Sequence, residues 1–194
     1  MPASVLWFTG LPAAGKSTLA VAVCDALATH GLRIERLDGD AVRVLAPTGF
    51  GRADRDAHVT RVGFMASRLE HHGITVVCAL ISPYQEARQR VRAMCRRFIE
   101  IYVATPLEEC ERRDPKGLYA RARRGEITNL TGVNDPYEPP QQPELVLDTS
   151  KLSVDEAVAL VLQAWEQVTS RAPTWEEPLT PPAPEESLSA SSRR

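Results

Sequence analysis

Residues 10–18 read Gly10-Leu11-Pro12-Ala13-Ala14-Gly15-Lys16-Ser17-Thr18. The run fits G-x-x-x-x-G-K-[ST], a loop pattern that cradles phosphate groups. Each residue type has a physical task in such a loop. The glycines allow a tight turn that aims several backbone N–H groups into one concavity. That concavity lies at a helix N-terminus, where the partial positive charge is strongest. Lys16 is placed to reach the β- and γ-phosphates of a nucleoside triphosphate, and the Ser17 hydroxyl to ligate Mg²⁺. The flanks agree with the motif. Val5-Leu6-Trp7-Phe8 reads as a buried strand before it, and Leu19 to Leu27 carries apolar residues at helical spacing after it.

Further groups with chemistry follow along the chain. Asp38-Gly39-Asp40 comes after a second short strand, Ile34 to Leu37, with Arg43 close behind. Two carboxylates facing a phosphate loop can hold water around Mg²⁺ or orient an acceptor hydroxyl. An Asp N-cap and turn is the simpler alternative. The third strand ends in no carboxylate, so such a role falls to Asp38 and Asp40. Ile81-Ser82-Pro83-Tyr84 reads as a helix start, with Ser82 as N-cap and Pro83 at the first helical position. The same hydroxyl is positioned to bind an anion or to take part in phosphoryl transfer. Phe50, Arg52, Asp54 and Arg55 place an aromatic beside arginines, a combination suited to a base and an anionic group. His58 is able to face the same pocket, but a lone His on a helix is more often a surface residue, and no role as a base is assigned to it. Arg112, Arg113, Lys116, Arg121, Arg123 and Arg124 form a basic segment suited to closing over phosphates and excluding water. The other basic cluster, Arg88 to Arg97, reads as a solvated helix face.

The elements that must position these groups alternate. Helices are expected over Arg55 to His72, ended by Gly73, over Glu86 to Arg96 and over Leu107 to Arg113. Strands are expected over Thr75 to Ile81, Phe98 to Val103 and Leu145 to Leu147. Ser153 and Glu156 form a capping box for a last helix running to about Val168. Repeated βα units predict an α/β fold: a parallel sheet of about five strands with helices on both faces. Ligands of such sheets sit beyond the carboxyl ends of the strands. Thr9-Gly10, Leu37-Asp38, Ile81-Ser82 and Ala104-Thr105 should therefore meet on one rim. Asp114 to Pro143 breaks the alternation, holds few core candidates and reads as a mobile lid. From Arg171 onward the composition turns to Pro, Glu, Ser and Thr, and a disordered tail is expected in which Trp175 alone could dock.

Bulk properties narrow the class. The chain has 194 residues and a formal net charge of −2, which implies no general affinity for nucleic acid. Cys24, Cys78, Cys95 and Cys110 are scattered without zinc-ligand spacing, and Cys24 and Cys78 read as buried thiols. That usage suits a reducing, cytoplasmic setting. Neither a signal peptide nor a membrane span is expected.

These residues carry a resemblance. From about Trp7 to about Thr149 the chain resembles the adenylyl-sulfate kinase (APS kinase) family of P-loop kinases. The matching stretches are the phosphate loop, Leu37-Asp38-Gly39-Asp40 with Arg43, Gly49-Phe50, Asp54-Arg55 and Ile81-Ser82-Pro83-Tyr84. Most specific is Arg113-Asp114-Pro115-Lys116-Gly117-Leu118-Tyr119, followed by Thr131-Gly132 and Asp135-Pro136-Tyr137-Glu138. The resemblance implies a P-loop kinase domain over about residues 1–170, with a lid over about 114–143. It also implies a reaction: ATP and adenosine 5′-phosphosulfate (APS) give ADP and 3′-phosphoadenosine 5′-phosphosulfate (PAPS), a step of sulfate assimilation. By the same resemblance Lys16, Asp40 and Ser82 are catalytic. Asp38, Asp40, Arg43, Phe50, Arg55, Ile81, Ser82 and Pro83 hold the substrate, Arg113, Lys116, Arg121 and Leu130 belong to the lid, and a homodimer is expected. The family treats the serine at Ser82 as a phosphoserine intermediate, whereas the physics favours direct in-line transfer.

The acceptor side departs from the family pattern at Ala41, at Ala57-His58-Val59-Thr60-Arg61, at Thr128 and at Leu130. An Asn, an Arg, a Lys and a Phe are replaced there. A kinase with another nucleotide-linked or sugar acceptor, or a module that binds ATP without transfer, stays open on these residues.

Overall fold

The computed structural model describes residues 2–45 and 49–170. The expected tail, with Trp175, lies outside the described residues. Five strands form one all-parallel sheet in the order β2-β3-β1-β4-β5. They are β1 (Val5–Gly10), β2 (Ile34–Asp38), β3 (Thr75–Ala79), β4 (Phe98–Val103) and β5 (Leu145–Leu147). The helices are α1 (Lys16–Ala28), α2 (Gly39–Leu45), α3 (Arg52–His71), α4 (Gln85–Met94), α5 (Leu107–Arg113), α6 (Leu118–Arg123) and α7 (Val154–Thr169).

The unbroken apolar run of β1 is explained by burial on both faces. Successive strand side chains point to opposite sides of a sheet. Leu6 and Phe8 enter a core formed with α1 and α7, while Val5 and Trp7 enter a second core under α3 and α4. Every residue of β1 and β3 is buried, which secures the register of the strand that carries the phosphate loop.

Local signals specify most helix ends. Gly73, with φ of +78°, donates its N–H to the Glu70 carbonyl at 3.0 Å, and Ile74 donates to that of Leu69 at 3.1 Å. This is a Schellman end, as a glycine after the last turn predicts. The capping box also forms. Glu156 N donates to Ser153 Oγ at 3.3 Å, and Ser153 N to Glu156 Oε2 at 2.9 Å.

Four expectations need correction. The third strand stops at Ala79 instead of Ile81, because the Ile81 carbonyl accepts from the Thr9 hydroxyl at 2.8 Å and the chain leaves the ladder. Ser82 does not cap α4; Tyr84 is the N-cap and Ser82 adopts φ of +39°. The first helical amide, Gln85 N, instead donates to Glu138 Oε2 at 2.7 Å, a cap supplied from far along the chain. The Arg88–Arg97 cluster is no solvated face: Arg88 is 1% exposed and bonded to Glu100. The helix carrying it ends at Met94, and the amides of Arg96 and Arg97 turn to the buried Glu70 carboxylate. Finally, the 114–143 segment is not poor in core residues. It holds α6, and Tyr119, Ala122 and Leu130 are buried in the main core.

All four cysteines are free; Cys78 is buried as expected, but Cys24 only half-buried. Among the described residues no helix is long and apolar enough to cross a membrane.

Candidate active site

A cavity of about 450 Å³ opens at the carboxyl ends of the strands, above β1. Pro12, Ala13, Gly15, Lys16, Ser17 and Thr18 line one side. Asp38, Gly39, Asp40 and Arg43 line another, with Phe50, Arg55 and His58 beyond them and residues Ala79–Pro83 at the back. Arg113, Asp114, Pro115 and Lys116 form the remaining wall. Two of the four expected strand ends, at Asp38 and at Ile81-Ser82, thus meet on one rim, and the third, Thr9-Gly10, leads into the loop that lines it. The fourth supports it from below: Thr105 Oγ1 donates to the Ala14 carbonyl at 3.0 Å.

The phosphate loop is built as its glycines require. Gly10 and Gly15 have φ of +147° and +98°. A Cβ at Gly10 would lie 2.4 Å from the Val103 carbonyl oxygen, so only glycine fits against β4 there. Thr149 Oγ1 donates to the Ala14 carbonyl at 2.9 Å, and Tyr119 Oη to that of Pro12 at 3.0 Å. Lys16 folds back and donates from Nζ to the Leu11 carbonyl at 2.7 Å, while Ser17 and Thr18 are exposed.

Burial lowers the Lys16 ammonium from its ordinary value to about 8. A consequence can be measured. The protonated form is the one that attracts phosphate, and a bound polyphosphate raises its pKa. Nucleotide affinity should therefore be level below about pH 7 and fall by up to about tenfold per pH unit above about pH 8, with proton uptake on binding. Calorimetry in buffers of different ionisation enthalpy checks both; affinity independent of pH would contradict the assignment. The sign for stability is opposite. Between about 8 and the ordinary lysine value the unfolded chain binds more protons, so the ligand-free fold gains stability as pH rises through that window.

The acidic pair is arranged by α2. The Asp40 amide donates to Asp38 Oδ1 at 2.9 Å, so Asp38 does cap the helix start while also facing the cavity. Asp40 is left exposed at the mouth, where Lys116 Nζ reaches Oδ2 at 2.5 Å. That hydrogen bond raises the Lys116 pKa and links the basic segment to the acidic wall.

Behind them, Arg43 donates to the Gly49 carbonyl at 2.9 Å and lies 4.7 Å from the Phe50 ring centroid. Arg55 is 6% exposed; it donates to the carbonyls of Phe50 and Asn129 and pairs with Asp135 at 3.4 Å. Phe50 remains half exposed, its ring free to stack.

Not every expected residue reaches the cavity. Arg121 pairs with Glu126 at the surface, and Leu130 lies in the core with 6% exposure. Arg112, Arg123 and Arg124 are likewise held by Glu109, Glu111 and Glu126. Of the basic segment, Arg113 and Lys116 line the site.

Three residues contribute to the site or its support without having been assigned a role there from sequence. His58 is 4% exposed and lines the cavity instead of the surface. Burial, with Arg43 and Arg61 nearby, lowers its pKa to about 4, so it is neutral near pH 7. Its spacing was a usable signal: three residues after Arg55 and four before Val62, it shares their helix face. The other two are Thr9 and Tyr137, whose hydroxyls lie 2.9 Å apart. Ser82 Oγ donates to Thr9 Oγ1 at 2.9 Å and accepts from Trp7 Nε1 at 3.1 Å. These contacts are long-range, and no local pattern announces them.

Comparisons with known proteins show the family of this chain. The family model for adenylylsulphate kinase matches residues 2–148. An adenylyl-sulfate kinase of Synechococcus sp. (strain JA-2-3B'a(2-13)) is 50% identical over 161 residues, covering 82% of this chain and 92% of that protein. One from Halothermothrix orenii is 49% identical over 164 residues, covering 84% and 89%. The structure of the Mycobacterium tuberculosis APS kinase CysC in complex with AMPPNP and APS superposes with a TM-score of 0.81. It is 40% identical, over 86% of this chain and 99% of that one.

Proposed function

This chain belongs to the adenylyl-sulfate kinase family, and we propose that its cavity transfers the γ-phosphoryl group of ATP to the ribose 3′-hydroxyl of APS, giving ADP and PAPS. The observation that carries this reading is the meeting, in one cavity, of an intact phosphate loop, the Asp38–Asp40 pair, the Arg43–Phe50–Arg55 group and Lys116.

The roles follow from position. Backbone amides of the phosphate loop and the Lys16 ammonium hold the donor triphosphate. Phe50, backed by Arg43, offers a face to the acceptor base; with Leu130 in the core, base packing falls to Phe50. Arg43 and Arg55 supply positive charge for the phosphosulfate. Asp40, exposed at the mouth, accepts the proton of the attacking hydroxyl or orients it. Lys116, now paired with Asp40, turns to the transferring phosphoryl group when substrates fill the site, and residues of about 114–143 act as the lid that excludes water. Transfer is direct: the Ser82 hydroxyl is already engaged with Thr9 and Trp7 and is 2% exposed.

Among the described residues no group of three His, Cys, Asp or Glu is arranged to hold a metal ion. The exposed Ser17 hydroxyl and the Asp38 and Asp40 carboxylates fit Mg²⁺, which keeps water and substrate phosphates as most of its ligands. When bound, it neutralises charge on the β- and γ-phosphates.

Purified protein with ATP, Mg²⁺ and APS should form PAPS and ADP in equal amounts, resolved by anion-exchange chromatography, and excess EDTA should stop the reaction. ADP formation without PAPS, at any APS concentration, would refute the proposal.

A further inference from the structure

Arg88 is the least exposed cation among the described residues, at 1%, yet it does not line the cavity. A buried guanidinium persists only where its donors are satisfied. Its Nε donates to Glu100 Oε1 at 2.8 Å, and its Nη1 to the Ser82 carbonyl at 2.7 Å. Its Nη2 donates to Gln85 Oε1 and to the Glu138 carbonyl, each at 2.6 Å. Those partners belong to β4, the turn after β3, the first turn of α4 and the far end of the 114–143 segment. One planar fork therefore ties β4, the turn after β3 and the start of α4 to Glu138, 50 residues further along the chain.

Two of them bear on the reaction. Ser82 sits in the left-handed region, at φ of +39°, a conformation that a serine keeps only when its surroundings hold it. It is the centre of the Ile81–Pro83 wall of the cavity. Glu138 is zipped to the same turn, its amide donating to the Pro83 carbonyl at 2.8 Å. Just before it, Asp135 accepts from Tyr84 Oη at 3.1 Å and pairs with Arg55.

We propose that Arg88 is a positioning residue for phosphoryl transfer: from outside the cavity its guanidinium locks the Ser82 turn to the Glu138 end of the lid, so that acceptor wall and lid are set by one buried cation. The proposal rests on the kinase function given above. A lysine would keep the charge but not the fork.

Arg88→Ala and Arg88→Lys, made in the full chain, test it. Displacing an acceptor by a fraction of its bond length is costly to rate, so kcat/KM for APS should fall about 100-fold in Arg88→Ala. The affinity for AMPPNP should stay within about twofold, since Arg88 touches no residue of the phosphate loop. Added guanidinium ion should restore activity to Arg88→Ala, and Arg88→Lys should remain impaired. Hydrogen exchange should quicken together at residues 81–85 and 135–138, and not at 10–18. If Arg88→Ala does not fold, Arg88→Lys carries the same readouts. The proposal is overturned by an Arg88→Lys enzyme of wild-type rate, by equal losses of APS turnover and AMPPNP affinity, or by loosening of one segment alone. Wild-type protein that forms no PAPS overturns the kinase function and this inference with it; wild-type activity with unchanged variants overturns the role of Arg88 alone.

Discussion

Replacing Lys16 by Met should abolish phosphoryl transfer while leaving the fold as stable as before, or more so. The side chain is 8% exposed and its ammonium is the one charge carried by the phosphate loop. Without a triphosphate its Nζ donates to the Leu11 carbonyl, and burial lowers its pKa to about 8. The fold thus bears a desolvated cation that it does not need for packing. In the transition state the same cation faces charge spread over the transferring phosphoryl oxygens, in a site from which water is excluded. Losing such an electrostatic contact typically costs two to three orders of magnitude in kcat. We expect about a 10³-fold loss in PAPS formation, with a midpoint of thermal unfolding equal to or above that of the wild type. Chromatographic product assay and calorimetry measure the two sides. Loss of activity accompanied by a fall in unfolding temperature would mean that Lys16 is structural.

The second large effect is expected at Asp40. Asp40→Asn keeps size and shape and leaves the backbone bond from residue 40 to Asp38 Oδ1 intact, so α2 should start as before. It removes the negative charge that now holds Lys116 and that faces the acceptor hydroxyl in the proposed reaction. General-base assistance is worth about 10² to 10⁴ in rate. We expect kcat to fall by about 10³ with KM for ATP changed by less than about threefold, because the phosphate loop, Lys16, Ser17 and Asp38 still hold the nucleotide and its Mg²⁺. The ion pair itself contributes little to stability, since both partners are largely exposed. A variant that keeps more than about a tenth of wild-type kcat would remove Asp40 from the chemistry.

These two predictions depend on features legible at different levels. The phosphate loop announces itself in residues 10–18, because backbone geometry, helix dipole and lysine reach are all local properties of one short segment. Strands β1 and β4 were equally legible, because apolar runs buried on both faces leave little freedom of interpretation, and β5 was read from its short apolar run although Val146 is exposed. The Gly73 end of α3 and the Ser153–Glu156 box depend on neighbours three or four residues away, so sequence alone placed them. The five-stranded parallel architecture followed from the alternation of elements.

What sequence could not decide was which polar side chains turn inward. Arg88 and Lys116 look alike as charges on a surface, yet one is buried and bonded to four acceptors and the other stands at the cavity mouth. Ser82 carries the signature of a helix cap, and only the pull of Thr9, Trp7 and Arg88 turns it inward, leaving the cap to Glu138. Likewise Leu130 and Arg121 sit in a segment read as lid, but one fills the core and the other pairs at the surface. Local spacing governs helix ends, strand faces and the phosphate loop because their partners are near in sequence. Where a buried hydrogen-bond partner lies fifty or more residues away, its identity is set by packing of the whole sheet, and that information exists only once the chain has folded.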